Sequence, residues 1–291
     1  MSRLLPRITL TLMSLTLACH AALAGEVGQS KSFKGPTGLQ LYSLRDMAEK
    51  EGVLAMLDKT KALGFKYVEV AGLGKLTPAA FKKELDARGL IPIGSHFPYE
   101  RLRDDIEGVA RDAKDLGLLY VGCAWISHKA PFDEKQCRET AAVFNKAGEA
   151  LAKHNLKFYY HNHGFEFQPF GQGTLFDLLM AETNPKYVSF QLDVLWTVFP
   201  GQDPAKLIEK YPNRWLLLHL KDLKKGVATG GLTGSTDTKN DVALGTGQVN
   251  WPALFQAAQK AGVKYYFIED ESPTVLDQIP QSLKFLESIE W

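Results

Sequence analysis

Apolar residues recur along this chain in two rhythms that take turns. Short dense runs of Val, Ile, Leu, Phe and Tyr alternate with longer stretches whose apolar positions fall three and four apart. The first rhythm predicts β-strands and the second amphipathic helices. Strands are expected at 38–44 (GLQLYSL), 67–71 (YVEVA), 91–96 (IPIGSH), 120–125 (YVGCAW), 157–163 (KFYYHNH), 188–193 (VSFQLD), 215–220 (WLLLHL) and 265–270 (YYFIED). Helices are expected near 47–63, 77–88, 102–116, 134–154, 174–182, 203–210, 251–261 and 275–289. Gly64, Gly89, Gly117 and Gly262 stand where four of these helices end, as a left-handed cap requires.

Eight strand–helix units in about 250 residues are the pattern of an α/β fold of one kind, the single (β/α)8 TIM barrel. The competing arrangement is an open doubly wound sheet. It uses fewer units, and no G-x-G-x-x-G follows the first strand. The strands are apolar enough to be buried on both faces. One polar, Gly/Thr-rich stretch at 226–247 interrupts the alternation. Inside a compact domain such a segment is more often a functional loop than a linker.

The first 24 residues follow neither rhythm. Arg3 and Arg7 precede an apolar run that closes on Ala22-Leu23-Ala24 before Gly25. That order predicts a secretory signal peptide at 1–24, a barrel domain at 25–291 and a periplasmic or secreted location. A retained membrane anchor is the competing reading, but a span needs about 20 apolar residues, and this run is short and carries His20. A lipid on Cys19 is weaker still, because Thr16 stands where a bulky aliphatic is usual. No stable membrane association is expected of the mature chain.

Cleavage removes two arginines and no acid, so the formal charge passes from +1 to −1. A chain without a basic excess lacks the electrostatic footprint of a nucleic-acid binder. Only Cys123 and Cys137 survive cleavage. They allow one disulfide in an oxidising compartment, or buried free thiols, since Cys123 lies in an apolar run.

A barrel aims the C-terminal ends of its strands at one small space. Four runs end there in metal-capable side chains: His161, Asp193, His219 and Glu269. Singly, each has a plain role: a hydrogen-bonded rim histidine, a helix cap at Asp193, a solvated acid at Glu269. Gathered by closure, they repel one another or lie desolvated without partners. A divalent cation resolves the conflict. Two carboxylates and two imidazoles suit Mn²⁺, Zn²⁺, Co²⁺ or Mg²⁺. Glu69 and His96 end earlier strands and are candidates to bond substrate hydroxyls.

The segments QLDVLWTVFPGQDP, LLLHLKDL and GTGQVNWPALFQAAQKAGVKYYFIEDES resemble the sugar isomerase/epimerase superfamily with the xylose isomerase-like barrel, a fold shared with endonuclease IV. The resemblance runs from GLQLYSLRD to the end of the chain. It implies that Asp193, His219 and Glu269 are metal ligands, with Mn²⁺ the first expectation. It also implies a small carbohydrate substrate and a pair of catalytic glutamates, one at the end of strand five. This chain departs there, with His161 in the stretch YYHNHGFEF. Alternation puts His161 and His163 on one face of the strand and Asn162 on the other. His161 is therefore expected as fourth ligand, and His163 and Glu166 as candidates for acid/base work beside Glu269.

Trp125, Phe97, Trp196 and Phe199 follow strands and are candidates to stack on sugar faces, Trp196 foremost. Lys221 of HLKD is a further substrate-binding candidate. The alternative places it on the strand face opposite His219, in an ion pair with Asp222 or a neighbouring loop. The expected activity is isomerase/epimerase chemistry by proton abstraction next to a carbonyl. A lyase or hydrolase of oxidised (3-keto) glycosides is the alternative, since a single base serves elimination too. A third reading is a sugar-binding barrel without catalysis. DNA repair of the endonuclease IV kind needs three metals and more ligands than six remaining histidines supply. No dense arginine cluster marks a phosphate site, so unphosphorylated substrates are expected.

Overall fold

The computed structural model describes residues 27–291, so the signal-peptide segment lies outside the described residues. Eight parallel strands close into a barrel. They are β1 (Thr37–Gln40), β2 (Tyr67–Val70), β3 (Ile91–His96), β4 (Tyr120–Cys123), β5 (Lys157–His161), β6 (Val188–Asp193), β7 (Trp215–Leu220) and β8 (Tyr265–Ile268). Each pairs with the next in sequence, and β8 returns to β1 with Thr37 opposite Tyr266. The (β/α)8 barrel expected from the sequence is the observed fold.

Where the elements differ from expectation, local caps explain it. The helix expected at 47–63 is two, Arg45–Glu51 and Val53–Ala62, broken at Gly52 with φ 93°. The one expected at 102–116 is also two, Tyr99–Asp104 and Ile106–Asp115. Asp105 divides them by accepting a bond from the Gly108 amide. β1 stops at Gln40 because the Gln40 side chain accepts from the Tyr42 amide and starts a 3₁₀ turn, Leu41–Leu44. The four glycines expected to cap helices all have positive φ, between 70° and 88°.

Two principal apolar cores hold the fold, and a third small cluster gathers Leu195, Trp196 and Leu223. The larger lies between the strands and the helices. The smaller plugs the barrel floor with Ile93, Tyr159, Leu216, Leu217 and Phe267. Tyr159 fits only because neighbouring strands carry no side chain beside it. A Cβ on Gly122 would stand 2.4 Å from its ring, and one on Gly94 2.8 Å from its hydroxyl. The plug lifts the next inward layer, which is polar, to the C-terminal mouth. Cys123 and Cys137 are buried free thiols. No helix among the described residues is long and apolar enough to cross a membrane.

The mouth is roofed by the loop that follows β7, and Asp222 anchors that loop. Its Oδ2 accepts from the amides of Gly245 (2.9 Å) and Gly247 (3.0 Å) and from the Trp251 indole (3.0 Å), while Oδ1 accepts from Val249 (3.2 Å). The carboxylate is fully buried, so removing it strands four donors. Asp222→Ala is expected to cost roughly 3 kcal/mol of stability. Urea unfolding of the variant checks it, and a midpoint equal to wild type would show that the loop is held otherwise.

Candidate metal centre

Strand register sets the polar layer. Gln40 lies beside Glu69, His161 beside Gln191, and Asp193 beside His219. Glu69 is the fixed point at its base. It is wholly buried. It accepts from Gln40 Nε2 (2.6 Å), Gln191 Nε2 (2.9 Å), the Tyr159 hydroxyl and His219 Nε2. Burial pushes this carboxyl up, but His96, His219 and Tyr159 outweigh that and hold it at about 2.

Those bonds assign the neighbouring protons. Gln191 donates to Glu69, so its Oε1 accepts from His96 Nε2 (3.0 Å) and His161 Nδ1 (3.1 Å). With Nδ1 donating, the bare nitrogen of His161 is Nε2. It faces Asp193 Oδ2 at 3.8 Å. On the other flank, His219 Nδ1 stands 3.8 Å from the same oxygen and 2.9 Å from Glu269 Oε2. Asp193 Oδ1 caps the short helix Val194–Val198 through the Trp196 amide at 2.8 Å. Asp193 Oδ2 is buried and has no hydrogen-bond partner. The capping role and the ligand role thus fall on different oxygens of one carboxylate.

This donor set fits a divalent cation. A bare buried carboxylate oxygen lies between two imidazole nitrogens too distant for hydrogen bonds, and donor atoms of Asp193, His219 and Glu269 lie within 4.8 Å of one another. A second trio, His96, His161 and His219, meets the same spacing. Two of its nitrogens are spent on Gln191 and a third on Glu69, so its inner nitrogens, on His161 and His219, are those that face Asp193 of the first trio. His219 also has the oriented outer bond typical of ligating histidines, Nε2 to a carboxylate. Burial disfavours its charged form, but Glu69 and Glu269 raise its pKa to about 10. Held between two carboxylates, the ring carries a positive charge at the place an ion would supply one.

Lys221 departs from one reading of the sequence. Residues two apart on a strand share a face, so Lys221 points inward with His219 rather than towards Asp222. Its ammonium lies 2.6 Å from Glu271, 3.3 Å from Glu269 and 4.0 Å from both Asp193 and Asp241. Burial works against its charge, but Glu269 and the other carboxylates raise its pKa well above the ordinary lysine value.

The candidate substrate residues separate into two groups. His96, His161, His163, Trp196, Lys221 and Glu269 line one cavity of ≈ 840 Å³ above the cluster, and 234–238 of the Gly/Thr-rich loop form part of its wall. Glu69 does not reach the cavity; its bonds go to Gln40, Gln191 and His219 within the polar layer and to Tyr159 of the plug below. Glu166 does not reach it either. The chain turns after His163, and Glu166 Oε1 accepts from the Tyr160 hydroxyl and the His163 amide (2.8 Å). Tyr160 faces away from His161, so Glu166 sits behind β5. Gln191 and Tyr159 were not singled out from sequence. Their parity with Asp193 and His161 was the available signal.

Residues 57–291 match the model of the xylose isomerase-like TIM barrel family. The chain belongs to that family. An inosose dehydratase of Geobacillus thermodenitrificans is 27% identical over 165 residues, 54% of this chain and 54% of that protein, so the chain spans about half the length of this curated relative. A sugar phosphate isomerase/epimerase of Parabacteroides distasonis has a TM-score of 0.69 at 26% identity, with 86% of this chain and 96% of that one aligned. A crystal structure of the IOLI protein with a bound zinc atom has a TM-score of 0.67 at 14% identity, covering 85% and 95%. At that identity it speaks for the fold alone.

Glu166 yields a pH test. Burial raises its carboxyl from the ordinary 4.5 to about 7. A raised acid favours folding while protonated, so its contribution is complete below about pH 4.5 and is lost as pH rises to about 7. The loss is roughly 3 kcal/mol. In urea unfolding at pH 5 and pH 8, Glu166→Gln is expected to remove most of that difference. An unchanged difference would assign it to other groups.

Proposed function

We propose that this chain is a divalent-metal-dependent carbohydrate enzyme that removes a proton from the carbon next to a carbonyl of a small polyhydroxylated ketone. The carrying observation is the bare, buried Asp193 Oδ2 between His161 Nε2 and His219 Nδ1, directly beneath a cavity that His161 and Glu269 line. His161, Asp193, His219 and Glu269 would hold the ion. Bound there, a divalent ion polarises a carbonyl and so acidifies the neighbouring C–H.

The chain's own residues do the rest. Glu269 is the carboxylate that both borders the cluster and lines the cavity, and it takes the proton. Lys221, 3.3 Å away, orients that carboxylate and is placed to hand a proton to a departing oxygen. Glu271 and Asp241 keep Lys221 charged. Trp196, whose ring lies 5.8 Å from the Lys221 ammonium, packs against His163 with centroids 5.4 Å apart, and the two rings shield the site from water.

Within this class the geometry favours β-elimination. The carboxylates that line the cavity near the cluster, Glu269, Glu271 and Asp241, all gather round Lys221. With Glu166 behind β5, the opposite wall offers imidazoles, not a second glutamate. One base removes the proton, the C–O bond on the next carbon breaks, and the released oxygen takes a proton, leaving an unsaturated ketone. The relative named inosose dehydratase supports this outcome. The isomerase/epimerase outcome is the second reading, supported by the Parabacteroides neighbour: Glu269 serves isomerisation by returning its proton to the adjacent carbon, whereas epimerisation needs a second donor on the opposite face, for which His163 is the cavity-lining candidate. Export belongs to the proposal on the N-terminal pattern alone. It requires protein made with its own leader to begin at Gly25.

Metal analysis and solvent exchange test the reading. Asp193→Ala and His219→Ala are each expected to abolish retention of Mn²⁺. Glu69→Gln is expected to weaken it about 10–100-fold while the fold persists. Full occupancy in Asp193→Ala would refute the ligand set. In D₂O the Mn²⁺-loaded protein is expected to place deuterium next to the carbonyl of a keto-sugar or inosose. An ultraviolet-absorbing unsaturated ketone reports elimination, whereas a deuterated isomer without it reports isomerisation or epimerisation. Absence of both exchange and an unsaturated ketone across the panel removes the proposal.

A further inference from the structure

The cavity is larger than a single sugar ring requires, and it has an aromatic platform that the chemistry above does not use. Trp125, just past β4, lines the cavity with 49% of its surface exposed. An indole half exposed inside a cavity, rather than scattered on the outer surface, offers an apolar face to whatever the cavity holds. Its orientation is built. His163 packs edge-on at 5.2 Å and Phe165 at 5.3 Å, while His128 lies tilted at 5.8 Å. The roofing loop closes on the ring at Gly234, where a Cβ would stand 2.4 Å from the indole. Only glycine lets the loop lie that close, so the loop and the three rings brace the indole while about half of its surface stays exposed.

The platform stands at a definite distance from the chemistry. Trp125 is 5.2 Å from His163, which is 5.0 Å from His161. The Trp125 ring therefore lies within about 10 Å of the His161 ring, a span that two linked rings cover. Sugar and aryl rings both stack on an indole face through C–H or π contacts.

We propose that Trp125 forms a second subsite, and that the substrate is a two-ring glycoside whose reacting ring lies at the metal cluster and whose second ring stacks on Trp125. The inference rests on the proton-abstraction reading for the place of the first ring and adds the second. A second sugar and an aryl aglycone offer the same flat, partly apolar face.

Calorimetric titration of the Mn²⁺-loaded protein with methyl β-D-glucopyranoside, phenyl β-D-glucopyranoside and cellobiose tests it. These unoxidised probes bind without reacting, so the result is independent of turnover, and failure of the exchange experiment leaves this one readable. A second-ring advantage of about 3- to 10-fold in Kd over the methyl glycoside is expected, the equivalent of 0.5–1.5 kcal/mol of stacking. Advantage for cellobiose identifies a sugar as the second ring; advantage for the phenyl glycoside alone identifies an aryl group. Trp125→Ala is expected to erase the ratio and Trp125→Phe to keep part of it, with thermal unfolding confirming that both fold. A ratio of one in wild type, a ratio unaltered by Trp125→Ala, or no saturable binding of any probe overturns the proposal.

Discussion

The imidazole of His219, held between Glu69 below and Glu269 beside it, is the interaction on which the rest of this centre depends. Barrel closure places three carboxylates, Glu69, Asp193 and Glu269, in a space nearly closed to water. Burial alone would drive all three towards the neutral acid. His219 bonds two of them at once and lies 3.8 Å from the third. Its outer nitrogen is fixed by Glu69, which is itself fixed by Gln40, Gln191 and Tyr159. The inner nitrogen is thereby aimed, with little freedom to turn, at the place where Asp193 and Glu269 converge. Such an arrangement bears its organisation cost at folding rather than at binding.

Charge then divides the cavity. One side is ionic: Lys221 among Glu269, Glu271 and Asp241. The other is imidazole-rich and aromatic: His161, His163 and, further out, Trp125, with Trp196 at the seam, where the Lys221 ammonium lies 5.8 Å from its ring. A substrate spanning the two meets a proton-accepting carboxylate on one side and stacking surfaces on the other. That asymmetry, more than any single residue, separates this site from one built on two opposed glutamates.

Several of these features were readable from parity along the strands. In VSFQLD, Gln191 must share a face with Asp193, and in FYYH, Tyr159 must share one with His161. The same rule places Lys221 with His219, and the reading that turned it outward towards Asp222 miscounted the alternation. Glu166 is different. Its segment leaves the strand after His161 and folds back in a 3₁₀ turn, Phe165–Phe167, so strand parity no longer applies. Glu69 looked like a substrate contact because it ends a strand. The register with Gln40 and the reach of His219 across the barrel make it a support instead.

The sequence by itself determined the barrel, the order of its units and the residues that crown its strands. These follow from local periodicity and from the stereochemistry of caps, which act between residues close in the chain. Only the tertiary structure decided which crowns meet. The four bonds to Glu69, the bare oxygen of Asp193, the burial of Glu166 and the brace of Gly234 on Trp125 join residues as far apart as 150 positions. Such pairings depend on register and on loop paths, which no local pattern encodes.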